Sequence, residues 1–205
     1  VKNGVLTEIT SAGQSYLAGQ GRNGVLVLPS SITRIDNNVF TQRFQNFKAI
    51  YAEGVTEVSG FAFNETGSLN FAHLPKLKKL GEAVFTDNAS LTAVNFPLLE
   101  EIGDVCFSGG ANFSGNGLKI TYVSIPAAKK IGSGAFHGNY KHAGVTFILG
   151  AQPEVNTKAY EDYPQEGFVA FGQLKSPVLY VTPEHLKTYT LTDGKWHGFT
   201  VKELK

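Results

Sequence analysis

A chain of 205 residues with 42% hydrophobic and 17% charged side chains can bury a core, which excludes intrinsic disorder. A net charge of +1 with dispersed Lys and Arg argues against the concentrated basic face of a nucleic-acid site and against docking on an anionic membrane. The lone Cys106 excludes an internal disulfide and a cysteine-built metal site, and no apolar run approaches the roughly 20 residues of a spanning helix.

Residues 1–24 are rich in Gly, Ser and Gln and hold one weak strand around Val5-Leu6, so they are predicted to form an irregular N-terminal cap. Val1-Lys2-Asn3-Gly4 has neither the basic start nor the apolar stretch of a signal peptide. Gly19-Gln20-Gly21-Arg22-Asn23-Gly24 has the glycine spacing of a dinucleotide loop. It lacks a hydrophobic strand before it and a helix after it, and reads as a turn.

From residue 25 to about 150 the chain repeats itself. Ser68-Leu69-Asn70-Phe71-Ala72-His73-Leu74-Pro75 aligns without a gap on Ser90-Leu91-Thr92-Ala93-Val94-Asn95-Phe96-Pro97, 22 residues on. An aliphatic residue followed five positions later by phenylalanine recurs as Ile35/Phe40, Val58/Phe63, Leu80/Phe85, Ile102/Phe107 and Ile131/Phe136. A turn-former follows the aliphatic (Asp36, Ser59, Gly81, Gly103, Gly132), and a small or apolar residue precedes the phenylalanine (Val39, Ala62, Val84, Cys106, Ala135). Another apolar residue stands three places before the aliphatic: Ile32, Val55, Leu77, Leu99, Ala128. Successive phenylalanines lie 23, 22, 22 and 29 residues apart, the last interval carrying a Gly-rich insertion near 108–117. Such spacing falls within the range of leucine-rich repeats.

Each unit opens with a strand-like segment whose apolar residues take the first, fourth and sixth places: Phe47, Ile50, Ala52; Leu69, Ala72, Leu74; Leu91, Val94, Phe96; Ile120, Val123, Ile125. The last two of each trio alternate as a half-buried strand requires. A proline with no N–H to donate often follows (Pro29, Pro75, Pro97, Pro126). The rest of each coil is too short for a full helix and is predicted to be turns or a single helical turn. Stacked coils then bury the phenylalanines as a spine, because one unit alone cannot cover its own aromatic.

After Phe147-Ile148-Leu149 the spacing loosens through Pro153, Pro164 and Gly172, so residues 151–205 are predicted to form a C-terminal cap. Within it Val178-Leu179-Tyr180-Val181 reads as a strand and Pro183 to Tyr189 as a short helix with Pro183 in its first turn. Trp196 and Phe199 are expected to seal the open end. The prediction is one domain over residues 1–205: a right-handed leucine-rich repeat solenoid of about five to six repeats, mainly β, with irregular connectors and caps.

The pattern resembles the BspA-like leucine-rich repeats of bacterial surface and secreted proteins, whose units end in aliphatic–Gly–x–x–Ala–Phe. Ile131-Gly132-Ser133-Gly134-Ala135-Phe136 is a near match, with Leu80 to Phe85 and Ile102 to Phe107 close behind. Leu179-Tyr180-Val181-Thr182-Pro183, Tyr189, Trp196 and Phe199 resemble the family's ending, so the likeness covers roughly residues 25–200. Asn64 and Thr86 stand where the family often has a cysteine, and the first unit departs in length. The resemblance implies an exported or surface-displayed protein, its signal or lipid anchor removed, that adheres to host or bacterial surface proteins without a shared ligand or catalytic motif.

Candidate chemistry is sparse. His137 and His142, five apart near Tyr140 and Lys141, have no carboxylate nearby to complete a metal site and read as a solvated turn. Cys106 matches Val84 and Ala135 and reads as a buried packing residue rather than a nucleophile. His185 and His197 belong to the end cap. Glu100/Glu101 stand where Lys78/Lys79 and Lys129/Lys130 stand in neighbouring units, so adjacent coils are predicted to align opposite charges across the convex side. No cofactor or metal is implied, and no catalytic residue is assigned. The candidate binding surface is the outward side of the strands, with Tyr51, Phe71, His73, Asn95 and Tyr122 as its named residues; the 108–117 loop is a second candidate. Tyr51, Phe71 and Tyr122 could stack on sugars or fill a partner's pocket. A monomeric, non-enzymatic protein-binding module is the leading expectation; a carbohydrate-binding module and a spacer that displays another domain are the alternatives.

Overall fold

The computed structural model describes residues 1–10, 15, 24–41, 47–109, 119–138, 144–158, 169–172 and 174–205. It is a stack of short coils, and the strand-like segments found in the sequence form one side of the stack. On that side β2 (Gly24–Val27), β4 (Phe47–Tyr51) and β6 (Phe71–His73) pair in parallel in that order. β8 (Ala93–Asn95), β10 (Tyr122–Ile125), β12 (Thr146–Leu149), β14 (Val178–Val181) and β16 (Phe199–Glu203) continue it in parallel, and β15 (Lys195–Trp196) closes the end antiparallel to β16. Residues at the first, fourth and sixth places of each unit point inward: Phe47, Ile50, Ala52, Leu69, Leu74, Leu91, Val94 and Phe96 are all buried.

The corners follow from the prolines. Leu77 N–H donates to the Leu74 carbonyl across Pro75, and Leu99 N–H to Phe96 across Pro97. Proline's fixed φ suits the second position of such a four-residue turn. The chain then enters a second sheet that the sequence did not announce. Where turns or one helical turn were expected, β1 (Val5–Leu6), β3 (Arg34–Ile35), β5 (Glu57–Val58), β7 (Lys79–Leu80), β9 (Glu101–Ile102), β11 (Lys130–Ile131) and β13 (Glu154–Val155) form a seven-stranded parallel sheet. Each strand contributes one inward aliphatic and one outward residue, so two residues suffice to pair and to bury.

The outward row of this sheet runs Arg34, Glu57, Lys79, Glu101, Lys130, Glu154, each in register with the next. Its signs alternate throughout. Lys79 Nζ lies 3.3 Å from Glu101 Oε2, and one row over Lys129 Nζ hydrogen-bonds Glu100 Oε2, which matches the expected charge alignment. The hydrogen bond from Lys129, then the charges of Lys129 and Lys78, hold the Glu100 carboxyl below the usual carboxylate range.

Between the sheets the phenylalanines stack face to face. Ring centroids lie 5.0 Å apart for Phe40–Phe63, 5.5 Å for Phe63–Phe85 and Phe85–Phe107, and 5.2 Å for Phe107–Phe136. A sixth ring, Phe171, extends the column 5.9 Å beyond Phe136, and the Ala170 carbonyl accepts from Phe136 N–H as Cys106 accepts from Phe85. Ala170-Phe171 is thus another Ala-Phe element, sixteen residues after its aliphatic Val155 instead of five. Trp196 and Phe199 are buried against Phe171, as expected of end-sealing residues, and Tyr189 packs edge-on to Trp196 while its hydroxyl donates to the Gly150 carbonyl. Pro183 opens the short helix α1 (Pro183–Leu186).

Two columns of the turn show different demands on the backbone. At Gly103 an added Cβ would lie 2.4 Å from the Gly81 carbonyl carbon; the coils touch there, so glycine is required for space. Two residues before each of the first five spine phenylalanines the backbone is left-handed: Asn38, Phe61, Ala83, Val105 and Gly134 have φ of 59°, 59°, 52°, 47° and 60°. Only the last of these is glycine, and each of the others other than Asn carries a strain on the order of 1–2 kcal/mol.

Candidate functional site

The outward side of the first strand face carries two rows of residues, in register within β2–β4–β6 and again within β8–β10–β12. One runs Val25, Ala49, Phe71 and, beyond β6, Ala93, Tyr122, Thr146; the other runs Val27, Tyr51, His73 and then Asn95, Ser124, Ile148. No carboxylate stands in these rows. Tyr51, Phe71 and His73, all singled out from the sequence, come together: Tyr51 lies 5.6 Å from Phe71 and 5.7 Å from His73, and the Phe71 and His73 planes are within 6°. His73 Nε2 lies 3.1 Å from Glu53 Oε1, which fixes the imidazole at the edge of the cluster. Asn95 lies one strand further along the His73 row. Tyr122 lies two strands from Phe71 with Ala93 between, and among the described residues it makes no ring contact.

Two residues of this face escaped the sequence reading. Val25 and Val27 on β2 are 55% and 68% exposed, more than Tyr51 or Phe71, and they continue the apolar surface to the start of the sheet. Their signal was the alternation Gly24-Val25-Leu26-Val27, in which Leu26 pairs with inward Ile50. The first unit's departure in length obscured it.

The face is divided. β6 and β8 are neighbours, yet no backbone hydrogen bond joins Phe71–His73 to Ala93–Asn95, so the ladder stops between them. At the N-terminal end of this seam lies a groove of about 550 Å³ lined by Lys48, Ser68, Asn70, Phe71, Ser90, Thr92 and Lys119. Ser90 Oγ donates to the Gly67 carbonyl at 2.6 Å, which orients its oxygen on the groove floor.

His137 is buried, 1% exposed, and not in a solvated turn: it follows Phe136 directly, at the place held by Ser108 after Phe107, where the coil turns inward. Burial pushes its imidazole below the ordinary histidine value, opposed by a backbone hydrogen bond at Val169. His142, Tyr140 and Lys141 lie outside the described residues, as do most of the 108–117 insertion and the 19–23 glycine segment. Cys106 is fully buried and its thiol is pushed up to about 12 by desolvation, so it packs as the sequence frame predicts. Among the described residues no group of His, Cys, Asp or Glu is arranged to hold a metal ion, and no helix is long and apolar enough to cross a membrane. A buried polar pair, Thr66 and Asn88, was not anticipated; Thr66 Oγ1 donates to Asn88 Oδ1 at 2.5 Å, and Asn88 Nδ2 donates to the Phe63 carbonyl at 2.8 Å.

Paired parallel sheets around a phenylalanine column define a leucine-rich repeat solenoid. The sequence model for the BspA type leucine rich repeat region matches residues 24–143 in six copies, and the chain belongs to that family. No curated protein sequence matches it. The crystal structure of a leucine-rich repeat protein from Bacteroides ovatus is similar, at 22% identity and a TM-score of 0.46 over 76% of this chain. This chain spans 43% of that protein's length.

Proposed function

We propose that the chain is a protein-binding module, displayed on or secreted from a bacterial cell, whose contact surface is the β2–β4–β6 face centred on Tyr51 and Phe71. The observation that carries this reading is the contrast between the two sheets. The second sheet sets opposite charges side by side along the row from Arg34 to Glu154, with Lys79 and Glu101 in ion-pair contact. The first presents contiguous Val25, Val27, Tyr51 and Phe71, all more than a third exposed, with no carboxylate in their rows. Aromatic anchors amid apolar surface are what interface hot spots are made of, because they bury large rigid area at small entropic cost. Membership of a repeat family whose units assemble extended surfaces is consistent with this reading and with the absence of a catalytic role.

The test is a panel of immobilised host matrix and bacterial surface proteins probed by surface plasmon resonance. For any protein captured by the wild-type chain, Tyr51→Ala and Phe71→Ala are each expected to weaken binding at least 30-fold, with the melting temperature unchanged. If binding survives both substitutions but is lost on Lys79→Glu or Lys130→Glu, the contact surface lies on the other sheet and the reading is wrong.

A further inference from the structure

The groove at the β6/β8 seam shares Phe71 with the apolar face, but the rest of its lining is lysine, serine, asparagine and threonine. We propose that it is a binding site for an anionic saccharide, a sugar chain bearing carboxylate or sulfate groups.

Four features point there. The first is charge. Lys48 on β4 and Lys119, just before β10, stand on either side of the two seam strands, roughly three strand spacings of about 4.8 Å apart. Neither lysine has a carboxylate partner among the described residues, whereas Lys79 and Lys129 on the other sheet do. The neighbouring segments 42–46 and 110–118 contain no Asp or Glu that could supply one. Among the described residues the groove therefore holds two ammonium groups and no compensating anion.

The second feature is the floor. Asn70 and Thr92 occupy equivalent places on consecutive coils, with Ser90 beside them, so amide and hydroxyl groups repeat at the spacing of the strands. Such groups both donate and accept, which suits sugar hydroxyls. The third is Phe71, 47% exposed and lining the groove, an aromatic platform against which the C–H face of a pyranose packs. The fourth is the seam itself. Because the ladder stops between β6 and β8, the backbone does not knit the floor closed, and an open groove of about 550 Å³ lies there. An acidic peptide would use the lysines, but it offers the floor one donor and one acceptor per backbone unit where a sugar ring offers several hydroxyls.

The test titrates ¹⁵N-labelled full chain with a galacturonate hexasaccharide, a heparin-derived hexasaccharide, neutral maltohexaose and a hexaglutamate peptide. At least one anionic saccharide is expected to shift the amides of Asn70, Ser90 and Thr92. Its affinity should exceed that of maltohexaose and of hexaglutamate at least tenfold, and whichever one binds identifies the acid group. Lys48→Ala/Lys119→Ala should reduce its affinity at least tenfold, and Phe71→Ala about tenfold, without changing the melting temperature. A Val25→Ser/Val27→Ser variant should bind the saccharide as wild type does, which separates this site from the protein-binding face. Failure of both anionic saccharides to bind at 10 mM would overturn the proposal. So would affinity unchanged in the double lysine variant, or hexaglutamate binding as tightly as the sugars.

Discussion

Replacing Phe85 by alanine tests the architecture most directly. Phe85 is fully buried at the middle of the column, 5.5 Å from both Phe63 and Phe107 and 6.2 Å from Phe96. Removing the ring forfeits transfer free energy of about 1.5–3 kcal/mol. It also leaves a cavity that the neighbours cannot fill, because backbone hydrogen bonds from Phe63 to Val84 and from Phe85 to Cys106 hold the coils at fixed separation. The combined cost for such a site is about 3–5 kcal/mol, to which three lost ring contacts contribute. For a chain of 205 residues this lowers the melting temperature by about 6–20 °C. Phe71, nearly half exposed, is the internal control, and its alanine variant should cost under about 1 kcal/mol. Urea titration followed by far-ultraviolet circular dichroism gives both numbers. If Phe85→Ala and Phe71→Ala destabilise equally, or if Phe85→Ala costs under 1 kcal/mol, the column is not what holds the coils together.

The remaining predictions concern the turns, the charged row and pH. Gly103→Ala forces a Cβ against the Gly81 backbone and should cost about 1–3 kcal/mol by thermal melting, whereas Phe61→Gly relieves left-handed strain at an exposed site and should gain about 0.5–1 kcal/mol. Glu101→Lys puts three like charges in register with Lys79 and Lys130; a loss of up to about 1 kcal/mol is expected in dilute buffer, recovered largely in 1 M salt. His137 and His197 have folded-state values depressed by burial below the unfolded value of about 6.5. The unfolded chain therefore binds more protons just below that value, and stability should be full above pH 7 and fall as the pH drops through 6.5 towards 5. His137→Gln should flatten part of that slope in urea titrations at stepped pH, and a profile as steep as wild type would remove His137 as its source.

Much of this fold is legible in residue order because inward positions recur at fixed offsets. The columns of Ile102, Cys106 and Phe107 and their equivalents read off directly, and all are buried. Three things stayed hidden for physical reasons. Phe171 does the same job as Phe136, but its distance from Val155 breaks the count on which recognition of a repeat relies. The second sheet has two-residue strands, too short for any alternation to show, and only the pairing across coils reveals them. His137 is buried because of its place in the coil, although its residue type and its neighbours suggested solvent. On the candidate face, the frame alone put Tyr51, Phe71 and His73 on outward positions, and register brings them into contact. The seam beside them depends on backbone spacing between coils, which no side-chain pattern encodes.

The two sheets divide the electrostatics of the molecule, and that division bears on how a partner would approach. On the second sheet each charge from Glu57 to Lys130 has opposite neighbours on both sides one strand spacing away, about 4.8 Å, well inside the Debye length of about 8 Å at physiological ionic strength. Its field cancels before it reaches far into solvent. On the first sheet the outward rows lack carboxylates, and Lys48 and Lys119 have no carboxylate partner among the described residues, so a net charge of only +1 is expressed unevenly. Net charge therefore understates the steering this surface can exert on an anionic group. On the two proposed surfaces affinity and orientation would have separate sources: exposed valines and rings would supply apolar area, and the lysine pair would set which way an acidic group arrives. Raising the salt concentration should accordingly weaken capture at the groove while leaving contact at Val25, Val27 and Tyr51 nearly unchanged.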